Sequence, residues 1–197
     1  MRGLSAGART AVLWLGLAVA AAVPARAAWD MVGSKAVVAH LADGSSVQIG
    51  SVQFTPAADG QTRFELTMAH GPFSDHFLSM REFKCLAGPP ELTCHVPYPY
   101  RQAGLVSPGR YAWLEHSLLF FFKRPTDFGA KLWNGIYFEL RATDTGLQGT
   151  PQAIDLNLIA SPPADLNTPP YRPALRSEMP EQARWLRSLS IGQPSPP

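Results

Sequence analysis

Phe64, Leu66 and Met68 alternate with Arg63, Glu65 and Thr67. A two-residue period of this kind marks a strand with one buried and one solvated face. Ile136, Phe138 and Leu140 alternate in the same way with Tyr137, Glu139 and Arg141, and Ile154, Leu156 and Leu158 alternate with Asp155 and Asn157. Val37, Ala39 and Leu41 make a weaker version near the start. In residues 47–54 the phase slips: Val47 and Ile49 share one parity, Val52 and Phe54 the other. Gly50 sits at the slip, which predicts a β-bulge or bend there. Leu118, Leu119, Phe120, Phe121 and Phe122 form a run that is apolar on both faces. It reads as a central strand covered on each side, or one whose outer face meets another element. Asp43-Gly44 and Asp59-Gly60 are turn signals between strand-like runs. Asn134-Gly135 is either a third turn or a bend in a longer strand starting near Leu132.

These runs amount to about eight strands between Lys35 and Ala160, with no long amphipathic helix among them. The fold class predicted is all-β and mostly antiparallel, as an eight-stranded barrel or a two-sheet sandwich. This resembles the lipocalin type of architecture in strand count and topology alone, and no residue or ligand is carried over from it. After Ala160 the composition changes: residues 161–197 hold nine of the 19 prolines. Proline excludes central strands, so this stretch is expected to run extended over the surface. Within it, Met179, Ala183 and Leu186, and also Trp185 and Leu189, recur at helical spacing, with Pro180 at the first turn. A short helix is expected over about 180–189, clamped on one end of the β-domain or left for a partner. The expected organisation is a signal segment at 1–27, a β-domain at 28–160 and a Pro-rich extension at 161–197.

Residues 1–27 read as a secretory signal peptide. Arg2 and Arg9 precede an uncharged apolar run at 11–23, Pro24 breaks it, and Ala25-Arg26-Ala27 gives a small-x-small cleavage pattern. The run is too short to span a bilayer, so a cleaved segment and a periplasmic or secreted protein are expected, with no membrane span afterwards. The full chain of 197 residues carries a formal net charge of +2 from 17 basic and 15 acidic residues. The first 27 residues hold three of the basic ones and none of the acidic ones, which leaves 14 − 15 = −1 for the rest. A near-neutral chain offers no electrostatic footprint for nucleic acid. With 46% hydrophobic and 16% charged residues it is suited to one globular domain and not to disorder.

Cys85 and Cys94 are the chain's two cysteines. In an oxidising compartment they are expected to pair. Placing them opposite each other in a hairpin sets Phe83 against Val96 and Ala87 against Leu92 on one face, and Lys84 against His95 on the other. Gly88-Pro89-Pro90 supplies the turn, with Pro90 favouring a wide loop. The pair is not spaced as a C-x-x-C redox motif.

No motif in the chain names a reaction. Ser74, Asp75 and His76 lie together, but adjacent side chains on a strand diverge, and no G-x-S-x-G elbow exists. His70, His76, Met68 and Met80 offer copper-type ligands, yet Met68 belongs to a core stripe and no metal-ligand spacing is present. His95 falls on the Lys84 face, beside a positive charge that disfavours a cation. No catalytic residue, metal or cofactor is therefore assigned. Residues 96–101 alternate Pro and Tyr, a stiff run whose rings suit contact with a ligand or protein. Trp113, Trp133 and Tyr137 extend that aromatic surface or fill the core. The expected function is a non-enzymatic β-domain binding a small apolar or amphipathic ligand or an envelope protein partner, through His76, Arg81, Tyr98, Tyr100 and Trp133. The alternatives are a hydrolase using His76 with a distant carboxylate, and an envelope assembly or scaffold protein.

Overall fold

In the computed structural model, which describes residues 29–159, 165, 167–180 and 182–192, the chain forms twelve strands and one short helix. The strands are β1 (Gly33–Leu41), β2 (Ser46–Pro56), β3 (Thr62–Met68), β4 (Ser74–Asp75), β5 (Lys84–Ala87), β6 (Leu92–Val96), β7 (Leu105–Val106), β8 (Leu119–Lys123), β9 (Gly135–Thr143), β10 (Gly146–Ile154), β11 (Ser177–Glu178) and β12 (Leu186–Gly192). Helix α1 (Ala112–Ser117) precedes β8. All pair in one antiparallel sheet in the order β4-β5-β6-β8-β9-β10-β12-β1-β2-β3-β7, with β11 beside β10. The all-β antiparallel class is therefore as the alternation requires. The sheet curls over one core, since Val37, Ile49, Val52, Phe54, Leu86, Phe120, Phe138, Leu147 and Leu189 share a single buried cluster. Its two ends, β4 and β7, do not pair with each other.

Local chemistry explains the main turns. Gly44 adopts φ +83° between β1 and β2, where Asp43 Oδ1 accepts the Ser45 N–H at 2.9 Å. The expected bulge is present: Val37 faces Gly50 but Val38 faces Gln48, so Ile49 is the extra residue. A Cβ at Gly50 would lie 2.5 Å from the Thr67 carbonyl oxygen, which leaves room for glycine alone. Cys85 is bonded to Cys94 and sits opposite it in register, with Ala87 opposite Leu92. At the tip the Gly88 N–H donates to the Glu91 carbonyl at 2.9 Å. Both cysteines are fully buried. Loop-closure entropy assigns this bond about 2.7 kcal/mol. The double variant C85A/C94A is expected to lose that amount in denaturant unfolding, and a loss below about 0.5 kcal/mol would show that the bond does not stabilise the fold.

The apolar run before β9 is covered on both faces. Leu118 and Phe120 join the main core, whereas Leu119 and Phe121 join a second cluster on the sheet's outer side. That cluster is built with Phe77, Tyr137, Ile154, Leu156, Ile159 and Tyr171, so the segments flanking the sheet form an outer layer. Among the described residues no helix is long and apolar enough to cross a membrane. The expected signal segment at 1–27 lies outside the described residues.

Two expectations are corrected. The helix over 180–189 does not form; Leu186–Gly192 is strand β12, hydrogen-bonded between β10 and β1 in the middle of the sheet. A helix this short is marginal without packing. The strand instead satisfies its backbone on both sides and puts Leu189 opposite Ala39 and Ile191 opposite Val37. Residues 181–192 contain no proline, so the exclusion that holds for the rest of the C-terminal stretch does not reach them. Among the described residues the sheet accordingly includes two strands beyond Ala160, β11 and β12. The alternation from Ile154 to Leu158 is also not a strand, because β10 ends at Ile154 and Leu156–Ile159 makes a helical turn. Leu158 is thereby left 56% exposed.

Candidate functional site

The curled sheet has a seam. Strand β3 pairs with β2 along its whole length, but on its other edge it meets β7 only at Thr62 and Arg63. Beyond that point the gap between β3 and the β5–β6 hairpin encloses a cavity of about 570 Å³. This is within the usual range for small-molecule sites, about 300–1,000 Å³. One wall is the β3 stripe, Phe64, Leu66 and Met68, extended by Phe73. The same two-residue period that identified the strand therefore builds the apolar side of the cavity.

The opposite end is polar, and Ser117 at the end of α1 organises it. His95 is buried on β6, with Nε2 3.0 Å from the Ser117 carbonyl oxygen. A carbonyl only accepts, so Nε2 carries the proton and Nδ1 is left as an acceptor. Burial pushes this imidazole below its ordinary value, with the Ser117 hydrogen bond opposing, and so favours the neutral ring. Gln102 donates from Nε2 to Ser117 Oγ at 2.8 Å, and Ser117 Oγ donates in turn to the Trp113 carbonyl at 2.9 Å. That chain fixes which way the Gln102 amide points. Gln102 Oε1 and the Tyr98 hydroxyl are buried away from the cavity surface and have no hydrogen-bond partner among the described residues. Burial, and to a lesser degree Tyr100, push the Tyr98 phenol above its ordinary value.

Charged groups stand around the same cavity. Lys84 lines it together with Glu82 and His70, but its ammonium is engaged by the Asp75 carboxylate. The Lys84 hydrogen bond holds the Asp75 carboxyl below the usual carboxylate range.

Of the five residues singled out in the sequence, Tyr98 lines the cavity. Tyr100 packs edge-on against its ring at 5.8 Å. His76 and Arg81 are exposed and are not lining residues. Trp133 is 58% exposed, with the Lys131 ammonium 5.2 Å from its ring. The structure thus brings Tyr98 and Tyr100 together and leaves the other three apart. Ser74 Oγ is 3.2 Å from His76 Nε2, but Asp75 is held by Lys84 and does not stand behind the imidazole. Among the described residues no group of three or more His, Cys, Asp or Glu side chains is placed to hold a metal ion.

Sequence reasoning missed Gln102 and Ser117 and set His95 aside. The hairpin register did place His95 on the Lys84 face, and both residues line the cavity. The positive charge that counted against His95 is neutralised by Asp75, a partner nine positions from Lys84. Ser117 carried no signal, because a six-residue helix is too short to show a period. No family model, curated protein or solved structure matches the chain.

Proposed function

We propose that this chain is a non-enzymatic binding domain that takes a small amphipathic molecule into the cavity between β3 and the β5–β6 hairpin. The observation that carries this reading is one cavity of about 570 Å³ that joins an apolar wall to a lining of polar side chains. Phe64, Leu66, Met68 and Phe73 receive an apolar body, and the end lined by His95, Gln102 and Ser117 takes a polar group. The hydrolase reading is not favoured, because among the described residues no distant carboxylate is hydrogen-bonded to the His76 ring, which meets Ser74 Oγ. The Cys85–Cys94 bond is compatible with an oxidising compartment, which supports an exported carrier.

Filling the cavity tests the proposal. Titration with the neutral fluorophore N-phenyl-1-naphthylamine is expected to give saturable one-to-one binding. Leu66→Trp should weaken it by about tenfold or more, equal to about 1.4 kcal/mol. Absence of saturable binding to the native sequence, or equal affinity in L66W with its fold intact by circular dichroism, would overturn the reading.

A further inference from the structure

Strand β3 brings a free edge to the cavity as well as an apolar wall. In an antiparallel strand the backbone groups of successive residues point to opposite edges. The Ala69 N–H donates to the Ile49 carbonyl at 2.8 Å, so Glu65, Thr67 and Ala69 direct their backbone groups at β2. Phe64, Leu66 and Met68 therefore aim theirs at the other edge, and the Phe64 N–H donates there to the Gly104 carbonyl at 3.0 Å. Gly104, with φ +63°, is where the chain that carries β7 departs from this edge. Among the described residues no strand and no other backbone group pairs with the edge at Leu66 and Met68. Both residues are half-buried and both line the cavity. An unpaired strand edge is a template for another strand.

Strand geometry couples this edge to the apolar wall. Residues that share an edge also share a face, and Phe64, Leu66 and Met68 are the residues of β3 that line the cavity. A strand laid antiparallel on the edge would turn the side chains of its bonded residues to that same face, into the cavity. The residues between them would lie on the solvent face with Glu65 and Thr67, which are exposed. Antiparallel pairing is what both existing neighbours of β3 use. An alkyl chain would cover the apolar wall and leave the edge N–H and C=O groups unanswered, whereas a peptide answers both. Building on the cavity reading above, we infer that the bound molecule is an extended peptide, paired antiparallel with β3 at Leu66 and Met68, with apolar side chains at alternate positions seated in the cavity.

The probe is a short capped peptide in which valine alternates with threonine, with a lysine at each end for solubility, competing against N-phenyl-1-naphthylamine. Two N-methylated forms separate backbone pairing from apolar burial. Methyl groups on the valine nitrogens block the donors turned toward β3, and the same number on the threonine nitrogens lie on the far edge. The valine-methylated form is expected to displace the fluorophore only at concentrations about tenfold or more above the other two, a difference of about 1.4 kcal/mol. Amide hydrogen exchange gives the local readout. The unmethylated peptide should slow exchange at Leu66 and Met68 by about tenfold or more, and leave Glu65 and Thr67, already bonded to β2, unchanged. Equal displacement by the two methylated forms, or unchanged exchange at Leu66 and Met68, overturns the inference and leaves the cavity reading standing. A peptide that fails to displace the saturably bound fluorophore has the same meaning. So does a native dimer whose Leu66 and Met68 amides are protected without peptide, which gives the edge to a second copy. Failure of the fluorophore itself to bind removes the cavity reading and this inference with it. Every arm uses the native chain, so no variant has to fold.

Discussion

Glu115→Ala is expected to destabilise the fold by about 3 to 5 kcal/mol, one of the largest losses available to a single substitution in this chain. Strand β8 pairs with β9 only at Phe120–Ile136 and Phe121–Gly135, so farther along β9 no neighbouring strand among the described residues takes up its outward N–H groups. Glu115, within α1, fills that role at one position. Its Oε1 accepts the Leu140 N–H at 2.7 Å, and its Oε2 accepts the Tyr137 hydroxyl. Tyr137 and Leu140 are both buried, so alanine would leave two donors with neither protein nor water. Burial pushes the Glu115 carboxyl up, while Tyr137, Leu140 and Arg176 hold it down in part. The same burial and the adjacent carboxylate push the Tyr137 phenol above its ordinary value. Glu115→Gln keeps an acceptor for Leu140 and should cost less, about 1 to 2 kcal/mol. Denaturant unfolding of the two variants beside the native chain decides the matter. An alanine variant within about 1 kcal/mol of the native chain would mean that β9 finds other partners for those donors.

What the sequence made legible followed from backbone periodicity. Val37, Ala39, Phe64, Phe138 and Leu140 fall on core-facing sides as alternation requires, because a strand's side chains have no other choice of face. The double-faced run at Phe120 and Phe121, the slip at Gly50 and the Cys85–Cys94 register were readable for the same reason. Strand β12 was not, because Leu186 and Leu189 also satisfy a helical spacing. The competing two-residue pattern is masked by a bulge: His40 faces Ser188 while Leu41 faces Leu186, skipping Arg187. The cavity's polar end was hidden for a different reason. It is assembled from β6, the segment after it and α1, and the contacts linking His95, Gln102 and Ser117 are long in sequence and specific in geometry. The clasp on the hairpin tip is of the same kind. Glu91 accepts from the Trp185 N–H at 2.8 Å and from Arg184 at 2.9 Å, across more than ninety positions. Period and composition carry no trace of such pairings.

The second large effect is on pH. His116 is fully buried in α1, with Nδ1 2.6 Å from the Ala112 carbonyl and Nε2 accepting the Tyr171 N–H at 3.0 Å. Its ring stacks on Tyr171 at 5.6 Å and meets the edges of Tyr98 and Tyr137. A proton on Nε2 would displace the Tyr171 N–H and place a charge among apolar rings, near the Arg176 guanidinium. Burial accordingly lowers this imidazole from 6.5 to about 4, with Arg176 adding to the shift and the Ala112 hydrogen bond opposing it. Between those values the unfolded chain holds a proton here that the folded chain does not, so stability is complete above the ordinary value and falls with falling pH. The loss from this site amounts to about 3 kcal/mol by pH 4. Glu115, raised by burial, acts with the opposite sign: its carboxyl is disfavoured in the charged form, so acid relieves it. Comparison with His116→Gln cancels that contribution, since Glu115 is present in both chains. The native chain should exceed H116Q in stability near pH 7.5, and the margin should shrink by up to about 3 kcal/mol as pH approaches 4. Hydrogen exchange at the Tyr171 amide supplies a local readout, because acid opening at His116 frees that N–H and loosens Tyr171, whose hydroxyl donates to the Asp155 carbonyl at 2.9 Å. Stability curves for the two chains that run parallel from pH 7.5 to 4 would show that His116 titrates without cost, and would remove the His116–Tyr171 contact as the acid-sensitive point of the outer layer.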